Sequence, residues 1–344
     1  MRILSYRNKR RLKTLLWILL VALAIFLMFC VTRFIYLQRF LVYQDGTVVL
    51  DYTQDLDTMG KPEDPPWDSS TVTIVTDEPT SMVTSVLDQP MERLSGYYIT
   101  TEMLGNVDAV RAALEEADKP QTIMLDLKSI YGSFYYSSGV YGAVTADVDI
   151  RAIDALIDEL AAREDLYLIA RVASLTDNNF ALDNQSCGLP LRSGALWMSG
   201  GCYWLDPMAT AVQEYLVSIA QELAFMGFDE VVFDDFRIPD SENIVYKSDL
   251  TRDESAAEAA RLIREMLAND PIRVSFNTSS AAVAQSTDRV YLVTQDGSAV
   301  AGLVDGVKDM LEDLPVQIVF LTPSRDTRFD GYGLLRPLIE NRAE

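Results

Sequence analysis

The sequence predicts an α/β fold, a (β/α)8-type barrel, over residues 93–344. Three observations point there: short apolar runs recur from Ser95 onward, stretches of helical periodicity separate them, and polar residues directly follow several of the runs. A transmembrane helix and a small β-hairpin are predicted to precede the barrel. With 344 residues and 49% hydrophobic content, the chain has room for one barrel of about 250 residues plus appendages.

In chain order, residues 1–13 form a basic tail and residues 14–36 a membrane anchor. Thr14 to Thr32 is an uncharged run of 19 residues, close to the roughly 20 that cross a bilayer as a helix. The Arg and Lys residues before it place the N-terminus in the cytoplasm and the bulk of the chain outside, an extracellular domain on a single-pass cell-membrane anchor. A cleaved leader is the competing reading, but VTRFIYLQ offers no small-x-small site. Residues 37–52 alternate apolar and polar about Asp45-Gly46, the signal of a hairpin. Residues 53–92, rich in Pro and Asp, read as a linker with a short strand candidate at Thr71 to Asp77.

Seven strands are predicted: Ser95 to Thr100, Thr122 to Leu127, Leu166 to Val172, Glu230 to Asp235, Ile272 to Asn277, Val290 to Thr294 and Val316 to Leu321. Helical stripes lie between them at Ile153, Leu156, Ile157 and Leu160; at Val212, Leu216, Ile219 and Leu223; at Leu262, Ile263 and Met266; and at Val300 to Leu311. Thr251 with Glu254 has the form of a capping box, Asn106 that of an N-cap, and Asp206 that of an N-cap before Pro207. An eighth strand is not evident. Thr327 to Glu344 carries Gly, Pro and charge, so the barrel either closes with an irregular segment or is incomplete.

Composition excludes several chemistries. The chain has no histidine, which removes Ser/His/Asp triads, imidazole zinc sites and histidine bases. No phosphate-binding glycine loop is present, so no nucleotide cofactor is implied, and no spacing implies a metal. Residues 1–39 hold eight basic residues and no acid, leaving 21 basic against 51 acidic residues beyond them. Such an exterior repels nucleic acid. Cys187 and Cys202 fall 15 positions apart in one polar stretch of the exterior part, and a disulfide between them is expected, two buried thiols being the alternative.

In α/β barrels the active face lies at the C-terminal ends of the strands. The residues there are Asp126 and Lys128, Arg171, the Asp234-Asp235 pair with Arg237, and Asn277. Residues two apart on a strand share a face, so Asp126 and Lys128 should point together, and only one of Asp234 and Asp235 can enter the mouth. Asp229 and Glu230, at the opposite end, read as surface.

The segments GYYIT, IMLDLKS, LIARV, WLDP and GFDEVVFDDFRIP occur in an order that resembles an uncharacterised bacterial family of glycoside-hydrolase-like domains with an amylase-like TIM barrel. The match is best over Gly96 to Pro239. It implies carboxylate catalysis on a polysaccharide or cell-envelope glycan, with Asp234 as nucleophile and Arg171 and Arg237 holding it in place. It also implies that Asp126 and Lys128 bind sugar hydroxyls or form a supporting ion pair, and that Trp204, with Tyr203 and Trp197, offers a sugar-packing face. Asn277 departs from the family's pattern, which tends to place an acid there, and an amide cannot donate a proton as a general acid. Asp296, Asp235 and Glu102 are the substitutes on offer. The expectation is therefore a membrane-anchored extracellular glycoside hydrolase, or else a catalytically degenerate barrel that binds carbohydrate or envelope components, or an envelope scaffold whose partner is another protein.

Overall fold

The computed structural model describes residues 41–44, 47–50, 87, 89–117 and 120–340. The chain divides into two units, Met1–Glu78 and Pro79–Glu344. In the first, strands Leu41–Gln44 and Thr47–Leu50 pair antiparallel with Val42 opposite Val49, as the Asp45-Gly46 signal predicts. The predicted anchor over 14–36 lies outside the described residues, as does most of the linker. Among the described residues no helix is long and apolar enough to cross a membrane.

In the second unit eight parallel strands form a closed ring. They are β1 (Ser95–Ile99), β2 (Thr122–Lys128), β3 (Tyr167–Ala173), β4 (Glu230–Asp234), β5 (Arg273–Asn277), β6 (Val290–Val293), β7 (Ile318–Leu321) and β8 (Gly333–Pro337). Each pairs with the next, and β8 returns to β1. All seven predicted strands are present.

The eighth is a correction to the sequence reading, because the segment closing the barrel is a regular strand. Its five residues, GLLRP, carry too few alternations to register as a period. Leu335 nevertheless faces the inner core and Leu334 packs on the outer one, while Pro337 stands at the strand end, where a missing N–H costs little. Closure also demands close backbone approach. A Cβ on Gly96 of β1 would stand 1.9 Å from the Thr122 carbonyl oxygen, and one on Gly333 of β8 would stand 3.0 Å from Val319 Cγ2.

The main helices cover the ring: α1 (Val107–Glu116), α2 (Ile150–Ala161), α3 (Thr210–Phe225), α4 (Arg252–Met266) and α5 (Val300–Val307). The α2 and α3 stripes are buried as predicted. On α4 the buried face runs instead through Ala256, Ala259, Ala260 and Ile263, whereas Met266 is exposed, so small side chains hold this helix against its neighbours. The capping box at Thr251 and the Asn106 cap both form. Asp206 does not cap α3. It accepts from Met208 N in a turn, and the helix starts after Ala209 without a side-chain cap.

Inside the ring, Met124, Ile169, Val232, Val319 and Leu335 form the apolar layer. Beneath it, at the N-terminal ends of the strands, Glu230 and Arg289 pair at 2.5 Å with 0% and 1% of their side chains exposed. This overturns the reading of Glu230 as surface, since the first residue of β4 points into the barrel. The Tyr167 and Tyr291 hydroxyls donate to its two oxygens at 2.8 and 3.0 Å, so each oxygen of the buried carboxylate has a hydrogen-bond partner. Arg289 also donates to the Glu92 carbonyl at 3.1 Å, which draws the end of the predicted linker across the barrel floor. Burial opposes the Arg289 charge, but Glu230 and the tyrosines hold its pKa above the ordinary value.

Removing one member of this pair strands the other in a dry interior. Glu230→Gln is expected to destabilise the barrel by about 3–5 kcal/mol, and the double change of Glu230 and Arg289 to Met by distinctly less. Urea unfolding followed by tryptophan fluorescence checks both values.

Candidate functional site

Above the apolar layer, at the C-terminal ends of the strands, inward residues of five strands converge: Tyr98 (β1), Asp126 (β2), Arg171 (β3), Asp234 (β4) and Asn277 (β5). Pairing register explains the alignment. Asp126 lies opposite Arg171, and Asp234 lies one pair above the Phe233–Val172 pair on the same strands. Arg171 Nε stands 2.9 Å from Asp126 Oδ1 and 3.9 Å from Asp234 Oδ1, and a terminal guanidinium nitrogen donates to Asp126 Oδ2 at 3.0 Å. The Asn277 amide donates to Asp234 Oδ1 at 2.5 Å. Asp234 keeps about a fifth of its side chain exposed, and Asp126 half that.

Burial pushes the Asp126 carboxyl up to about 6, against the pull of Arg171 and with the Asp234 charge adding to the rise. Tyr98 is likewise raised by burial. Neither Tyr98 nor Ser174, whose hydroxyl donates to the Asp234 carbonyl at 2.6 Å, was singled out from sequence. For Tyr98 the signal was there, since alternation along GYYIT puts Gly96 and Tyr98 on one face.

Lys128 is a correction. The ladder between β2 and β3 slips by one residue after Asp126, so Lys128 lies opposite Val172, which faces outward. Its ammonium, fully buried, pairs with Asp177 at 2.9 Å and donates to the Ala173 carbonyl at 2.8 Å, 5.7 Å from the Tyr215 ring centre. It therefore anchors the long loop after β3 and shares no face with Asp126.

Of the DDFR turn only Asp234 enters the mouth. Asp235 adopts φ 48°, a left-handed conformation that swings its carboxylate outward onto Arg237 at 2.5 Å. Arg237 is thus occupied by Asp235 and lies 5.2 Å over the Trp204 ring. Arg171 alone of the two arginines forms an ion pair with Asp234. Trp204 is 6% exposed, with Arg237 over its ring and Trp197 at 5.9 Å, so it is a packed side chain. Asp296 caps a short turn through Ser298, and those hydrogen bonds hold its carboxyl below the usual range, which unsuits it as a proton donor.

The expected disulfide is also overturned, since Cys187 and Cys202 are both buried free thiols. Within the loop after β3, Gly188 bridges Leu205 antiparallel, so Cys187 falls opposite Asp206, four residues beyond Cys202. At about 3.3 Å per extended residue that offset far exceeds the roughly 7 Å Cα limit of a disulfide.

The second unit is thus a closed (β/α)8 barrel with two carboxylates around one guanidinium at its C-terminal face. The chain belongs to the family described as "Putative glycosyl hydrolase domain", whose model matches residues 96–312. No curated protein matches it. Among solved structures it is similar to a hypothetical protein of Ruminiclostridium thermocellum (21% identity, TM-score 0.46, covering 53% of this chain and 96% of that one). It is similar also to the alpha-galactosidase of Lactobacillus brevis (10%, TM-score 0.49, 75% and 39%). A third is the glycoside hydrolase domain of PelA from Pseudomonas aeruginosa (13%, TM-score 0.44, 72% and 95%).

Alkylation mass spectrometry under denaturing, non-reducing conditions is expected to label both Cys187 and Cys202, and neither while the chain is folded. A linked peptide pair would contradict the structure.

Proposed function

We propose that this chain is a glycoside hydrolase that acts on a polysaccharide or cell-envelope glycan, with Asp234 as the attacking carboxylate. The observation that carries the reading is the placement of Asp234: inward, open to the mouth, and held by Arg171 and Asn277. Attack of Asp234 on the anomeric carbon breaks the glycosidic C–O bond, whose electrons leave with the departing oxygen as it takes a proton from solvent; water then adds at the anomeric carbon, frees the Asp234 carboxylate and returns a proton to solvent. Asp126 is the second carboxylate of the mouth and shares the Arg171 guanidinium with Asp234, at 2.9 and 3.9 Å from its Nε.

One observation favours a second reading, a barrel that binds glycan without cutting it. Asn277 offers an amide where a proton donor would serve, and Asp126 is tied to Arg171. In either case the basic tail and the apolar run from Thr14 to Thr32 support a domain held outside the cell membrane. The acidic exterior argues against nucleic acid as a partner.

Asp234→Asn should abolish reducing-end release on a glycan panel while leaving the urea midpoint within experimental error of the parent. If the parent chain binds a glycan and releases nothing, the second reading stands. For the anchor, alkaline carbonate should leave the full chain in the membrane pellet and release a chain lacking residues 1–36.

A further inference from the structure

The mouth holds two carboxylates and one guanidinium, so its charge is unbalanced whenever both acids are ionised. Asp126 is faced by Tyr98 from β1, Arg171 from β3 and Asp234 from β4; Lys128, on its own strand, is turned outward to Asp177. Its Oδ1 is buried and accepts no hydrogen bond, although Arg171 Nε lies 2.9 Å away and only 3.9 Å from Asp234. Asp126 therefore competes for the cation that serves Asp234, from a place too enclosed to touch a sugar.

We propose that Asp126 is a positioning residue that acts through Arg171 on Asp234: neutral Asp126 leaves the guanidinium to Asp234, and ionised Asp126 divides it between the two. The proposal rests on the reading of Asp234 as the attacking carboxylate. Asp126 makes and breaks no bond to substrate and only exchanges a proton with solvent.

The direction of the effect follows from the charge that develops during the reaction. The transition state of glycosyl transfer is oxocarbenium-like and positive. With Asp126 protonated, Arg171 offsets the charge of Asp234 and the mouth is near neutral. With Asp126 ionised, the mouth is net negative and attracts the developing cation. Since Asp126 ionises at about 6, turnover should rise as pH increases through that value. A unit charge several Å away at an effective dielectric near 20 changes a rate by roughly ten- to a hundredfold.

The test uses the full-length chain and an aryl glycoside whose leaving group needs no protonation, which isolates attack by Asp234. The parent should show a limb that rises through about pH 6. Asp126→Asn should be flat at the parent's low-pH level. A variant that loses activity by one factor at every pH while keeping the limb would reduce Asp126 to a structural part, and a limb that falls with pH would make it a proton donor; either outcome overturns the proposal. Carboxyl carbon NMR of the Asp-labelled chain supplies a readout without turnover. One resonance should titrate near 6, vanish in Asp126→Asn, and move to lower pH in Asp234→Asn. That shift in a chain that cleaves nothing would sustain the coupling and sink the hydrolase reading, whereas an unmoved resonance would sink the coupling itself.

Discussion

Closure of the strand ring is the constraint from which the rest of the structure follows. Eight parallel strands leave no open edge only if β8 meets β1. Beside that seam the backbones of β1 and β2 come so close that Gly96 has no room for a Cβ. Once closed, the ring fixes which side chains point inward. An interior this narrow must be filled by side chains and cannot hold an unpaired charge.

Arg289 and Arg171 meet that condition in different ways. At the floor, Arg289 is matched to Glu230, and two tyrosine hydroxyls also donate to its carboxylate. At the mouth, Arg171 has two acids and open solvent above it. The same ingredients thus give a stabilising plug at one end and a titratable site at the other. Strand direction decides which is which, because the mouth lies at the C-terminal strand ends.

Much of the candidate site was legible in the sequence. Residues directly after apolar runs on a barrel lie at the active face, and this alone groups Asp126, Arg171, Asp234 and Asn277. Where that logic failed, the cause was local irregularity. Lys128 was grouped with Asp126 by the period of two, but a one-residue slip in the ladder reverses its direction. Arg237 was assigned to Asp234, yet the left-handed turn at Asp235 keeps it for its neighbour and for Trp204. The cysteines were paired by spacing and by their place in the exterior part, and neither carries register.

The sequence by itself determined the alternation of strands and helices, the barrel class, the acidic exterior, and the set of polar residues at the strand ends, because these depend on periodicity and composition, which are local properties. Tertiary structure alone decided that GLLRP closes the ring, that Glu230 and Arg289 find each other across 59 positions, and that Arg171 is shared by two acids. Those outcomes depend on register and on distances between segments far apart in the chain, and a linear pattern fixes neither.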